Sequence, residues 1–102
     1  MDDPLEAEFS VVMCALEEAL SEQNGKTTRL SRTRQKLSRV GVRQILTDLA
    51  LKSKPSDGFM KLMEFGMADM SAESLILKYR QEFEPEVIAA AERRLAEYGL
   101  LD

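Results

Sequence analysis

Leu95-Ala96-Glu97-Tyr98-Gly99-Leu100 decides the fold class, because its pattern occurs three times. Leu37-Ser38-Arg39-Val40-Gly41-Val42 and Leu62-Met63-Glu64-Phe65-Gly66-Met67 share the form Leu-x-x-apolar-Gly-apolar. A Schellman helix end requires that form. The glycine takes a left-handed conformation at no steric cost, and the apolar residue after it folds back on the leucine. Helix ends are therefore expected at Gly41, Gly66 and Gly99. The glycines are 25 and 33 residues apart, so the three segments are not read as an internal repeat.

Helix starts fit between these ends. Asp3-Pro4-Leu5-Glu6 offers an N-cap, a proline at the first helical position and a glutamate at the third. Ser31, Ser56 and Ser71 each precede a helical pattern, and Pro85 opens the last one. The expected helices are 4–23, 31–40, 42–52, 57–65, 71–81 and 85–98. Asn24-Gly25 and Lys54-Pro55-Ser56 are the clearest breaks. Val42, Ile45, Leu46, Leu49 and Ala50 form one apolar face, as do Val87, Ala90, Ala91, Leu95 and Tyr98. Leu5, Phe9, Val12, Met13, Leu16 and Leu20 make a stripe along the first helix. Leu75-Ile76-Leu77 has strand character, but Ser71 as a cap favours a helix there. The expectation is all-α: a single small domain, residues 1–102, of five or six short helices around one core.

At 102 residues, with 44% apolar content, the chain has the size and composition of one globular domain. No apolar run approaches the roughly 18–20 residues that span a bilayer, so no membrane partner is expected. The start, Met1-Asp2-Asp3-Pro4, is acidic and lacks the basic region of a signal peptide. One cysteine makes no internal disulfide, which suits a reducing cytoplasm.

The net charge of -4 hides a segregation. Residues 1–25 hold Asp2, Asp3, Glu6, Glu8, Glu17, Glu18 and Glu22 and no basic group. Residues 26–43 hold Lys26, Arg29, Arg32, Arg34, Lys36, Arg39 and Arg43 and no acidic one. Such asymmetry bears on partners.

Several chemistries find no support. The chain has no histidine, hence no Ser-His-Asp or Cys-His arrangement, and it has no Ser-x-x-Lys. Gly25-Lys26-Thr27 looks like the end of a phosphate-binding loop, but that motif needs a glycine where Leu20 stands; Gly25 reads as a helix stop. Asp69 and Glu73 stand at i and i+4, and Glu82, Glu84 and Glu86 alternate around a proline turn; neither group resembles a calcium loop, which needs ligands at alternating positions and a central glycine. No cofactor, no metal and no catalytic residue is expected. Met60, Met63, Met67 and Met70 read either as core lining or as an adaptable groove.

Two interaction surfaces remain. Arg29, Arg32, Lys36, Arg39 and Arg43 recur at steps of three and four, a row that suits a phosphate backbone or an acidic partner. A helix–turn–helix around Gly41 fits poorly. Bulky Leu37 and polar Thr47 fall where the motif takes a small and a buried apolar residue, and most of the positive charge precedes the turn. No aromatic residue between Phe9 and Phe59 offers a stacking platform. The second surface is Val11, Cys14 and Ala15, off the main stripe of the first helix. It suggests burial on two sides, in a central helix or a homodimer interface. Cys14 has no cation within ten positions, so a small hydrophobe, buried or at an interface, is expected there. The function expected is a non-enzymatic, cytoplasmic protein-interaction or self-associating module. Nucleic-acid binding through 26–43 is the alternative.

Overall fold

Asp3 starts the first helix as its sequence requires: its carboxylate accepts the Leu5 N–H at 3.1 Å, with Pro4 as the first helical residue. The computed structural model describes residues 3–101. The acidic Met1-Asp2 start lies outside the described residues. The elements, in order, are α1 (Pro4–Asn24), α2 (Ser31–Val40), α3 (Val42–Leu51), α4 (Asp57–Glu64), α5 (Ala72–Lys78) and α6 (Pro85–Glu97). Two 3-10 turns, Ala68–Met70 and Arg80–Glu82, flank α5. No strand occurs among the described residues, so the class is all-α, with six short helices around one core. The radius of gyration is 13.2 Å, close to the value of about 13 Å for a compact chain of this length.

Three differences from the expected elements have local causes. The helix expected over 71–81 ends at Lys78: Pro85 disfavours a helical Glu84, Phe83 is extended as well, and the residues between tighten into a 3-10 turn. Ser31 does not cap α2. The N-cap position is Leu30, without a side-chain cap, and its N–H donates instead to the Glu17 carboxylate at 2.8 Å. Gly41 does not make a Schellman end. Gly66 and Gly99 do: Met67 N–H donates to Leu62 C=O at 2.7 Å, and Leu100 N–H to Leu95 C=O at 2.8 Å. Gly41 has φ +84 and ψ 165, a region open essentially only to glycine, and serves at once as the end of α2 and the N-cap of α3. One residue between two helices is too short for the three- or four-residue connection of a helix–turn–helix.

α3 is the central element, packing against α1, α2, α5 and α6. The main core joins Leu5, Phe9, Val12 and Met13 of α1 to Val42, Ile45, Leu46 and Ala50 of α3, Leu75 and Ile76 of α5, and Val87, Ala90 and Ala91 of α6. Leu46 and Ile76 are fully buried, each contributing about 1.5–3 kcal/mol by transfer from water. Leu16, Phe59, Leu62 and Leu95 are buried outside that cluster. Phe59 meets Tyr98 edge-on, with ring centroids 5.2 Å apart. No described helix is long and apolar enough to cross a membrane.

Candidate functional site

α2 buries no residue fully. Leu30 and Leu37 pack their half-buried side chains against the core, and the rest of the helix is available to charge. Arg32, Lys36 and Arg39 stand at i, i+4 and i+7, which places them on one helical face. Arg29 precedes the helix, and Arg43 belongs to α3. The five basic residues therefore divide. Lys36 meets Asp48 of α3 at 3.1 Å. Arg43 holds both oxygens of Asp3, at 2.7 and 3.2 Å, and also Glu82. It thereby clamps the start of α1 and the turn after α5 onto α3. Arg29, Arg32 and Arg39 are exposed and form no ion pair among the described residues.

The acidic first helix and the basic second one do meet, through one centre. Glu17 takes Arg34 Nε at 2.8 Å, Arg34 Nη2 at 2.5 Å and the Leu30 N–H at 2.8 Å. The Arg34 guanidinium and that N–H hold the Glu17 carboxyl down at about 2, against an opposing effect of burial. Elsewhere α1 turns its carboxylates to other elements: Glu8 accepts from Lys78 Nζ and Tyr79 Oη, at 2.9 and 2.8 Å. A single net charge says nothing of this division of partners.

The second expected surface is exposed. Val11 keeps 60% of its area in solvent, Cys14 is exposed and Ala15 is half-buried. α1 is thus covered on one side only, and the central position belongs to α3. With Ser10 and Glu18 these residues line a shallow depression on the outside of α1. Cys14 is not a buried hydrophobe. Its Sγ lies 3.9 Å from Arg34 Nη2, a cation twenty positions away that no local window shows.

Spacing also missed the buried pair of Glu73 and Arg94. Arg94 Nη1 reaches Glu73 Oε2 at 3.1 Å, and Nη2 donates to the Lys52 carbonyl. Both side chains are more than nine-tenths buried. Burial pushes the Glu73 carboxyl above its ordinary range, and Arg94 acts against that shift. The signal available in sequence was slight: Arg94 sits within the apolar stripe of α6, between Ala91 and Leu95. The carboxylates considered as metal ligands disperse, with Glu73 on Arg94 and Glu82 on Arg43. Among the described residues no group of three or more cysteine, aspartate or glutamate side chains is arranged to hold a metal. The methionines disperse as well: Met60 is exposed, and Met70 packs against the core.

No family model matches the chain, and no curated protein or solved structure matches it.

Proposed function

We propose that this chain is a non-enzymatic interaction module that self-associates through the outer face of α1. The observation that carries the reading is the exposure of Val11, with Cys14 and Ala15 beside it, on a helix whose opposite side is built into the core. Covering this strip with a second copy would remove apolar area from water without rearranging the fold. The free, exposed thiol of Cys14 suits a reducing compartment, which supports a cytoplasmic location. Light scattering after size exclusion should give a dimer at high micromolar concentration. Val11→Lys should give a monomer with an unchanged circular dichroism spectrum. A wild-type chain that stays monomeric at that concentration overturns the reading.

One observation favours a second reading, nucleic-acid binding. Arg29, Arg32 and Arg39 are exposed and form no ion pair among the described residues. Each phosphate contact adds salt-dependent affinity. Retention of duplex DNA or RNA at low salt, lost in the triple Arg→Ala variant at these positions, supports it. No retention at low salt ends it.

A further inference from the structure

We propose that the cavity between α1, α4 and the α3–α4 loop binds a single-chain amphiphile with an anionic end, of which a medium-chain carboxylate is the simplest. The cavity measures about 440 Å³, within the roughly 300–1,000 Å³ of small-molecule sites. Its apolar wall includes Phe9, Val12, Met13 and Leu16 of α1, Leu62 of α4 and Met70. It lies where Leu16, Phe59 and Leu62 are buried apart from the main core.

The chemistry differs between the wall and the mouth. Glu73 is the buried charge on the wall, and Arg94 already holds it. Among the described residues no buried side-chain nitrogen or oxygen lacks a partner, so the interior asks no polar group of a guest. The mouth is different. Arg32 and Lys52 both line the cavity and are exposed, and neither forms an ion pair among the described residues. Asp57 is the one carboxylate beside them, which leaves the mouth net positive. A guest that matches both regions has a hydrocarbon body and one negative charge at its end. Thr33 and Ser56 also line the cavity, with the Ser56 hydroxyl already accepting the Phe59 N–H as the cap of α4.

Decanoate and decylammonium, equal in length and opposite in charge, test this. Titration followed by amide–proton NMR and calorimetry should show saturable 1:1 binding of decanoate. Shifts should centre on Leu16, Leu62 and Met70, and decylammonium should bind about tenfold more weakly or worse. Arg32→Ala with Lys52→Ala should weaken decanoate by about tenfold and leave decylammonium no weaker. Ala72→Phe, which fills the wall, should abolish binding of both; if that variant does not fold, Thr33→Trp at the mouth serves the same purpose. The proposal is overturned if decanoate does not saturate, or if both head groups bind equally. Shifts centred on Val11 and Cys14, or a response that tracks dimer formation, also overturn it.

Discussion

Gly25 and Gly41 both have positive φ, yet they restrict substitution differently. Gly25 lies at φ 68, ψ 19, in the left-handed helical region that asparagine also visits. Gly41, at φ 84 and ψ 165, lies where a β-carbon is strained whatever the room. No heavy atom stands within 4 Å of a β-carbon built at Gly41, so the cost of substitution is conformational. Gly25→Asn should cost a few tenths of a kcal/mol, and Gly41→Asn or Gly41→Ala about 1–3 kcal/mol, in urea unfolding. Equal midpoints for the two asparagine variants would contradict the assignment. Glu17 sets a second expectation at this scale. Its carboxyl titrates at about 2 when folded, against an ordinary 4.5. A folded value below the unfolded one stabilises fully above about pH 4.5 and is lost as pH falls toward 2. Between about pH 5 and pH 2 the melting temperature of Glu17→Gln should therefore fall less than that of the wild type. Parallel curves would show that Arg34 and Leu30 do not stabilise the charged form.

At the scale of elements, Glu73 and Arg94 tie α5 to α6 and, through the Lys52 carbonyl, to the end of α3. A buried ion pair adds little net stability over apolar residues of similar size, but its disruption leaves one charge uncompensated. Arg94→Met should cost about 3–5 kcal/mol, and the double variant Glu73→Met with Arg94→Met markedly less. Additive losses in the cycle would contradict the pairing. The elements themselves were legible, because caps and apolar periodicity act within a few residues. Asp3, Ser56, Ser71 and Pro85 start helices as their neighbours dictate. Gly66 and Gly99 end helices with the hydrogen bonds their motif requires. Gly41 carries the same six-letter pattern and does otherwise, because Val42 begins α3 at once and no turn separates the helices. The candidate site was legible only in part. Spacing placed Arg32, Lys36 and Arg39 on one face, but it could not assign Asp48 to Lys36, Arg34 to Glu17 or Glu82 to Arg43. Those partners lie 12 to 39 positions apart and meet only through packing.

At the scale of the molecule, α2 is the helix least supported by burial. It has no fully buried residue and no side-chain N-cap, and its packing against the core rests on Leu30 and Leu37. Its carboxylate partners are the buried Glu17, which meets Arg34, and Asp48, whose pair with Lys36 is partly exposed and of the kind that contributes about 0–1 kcal/mol. Native-state hydrogen exchange should find the amides of 31–40 opening well before those of α3 and α6. Uniform protection across the six helices would contradict that order.

The one-residue junction at Gly41 gives this difference a mechanical form. The joint is a single glycine, and while α2 is folded its orientation on α3 is held by Leu30 and Leu37 on the core and by the Glu17–Arg34 and Lys36–Asp48 pairs. Once α2 opens, its cations are carried on a tether, with a capture radius far larger than a folded face presents. If the proposed nucleic-acid reading holds, the anionic partner would meet the opened chain first and α2 would refold on it as it docked.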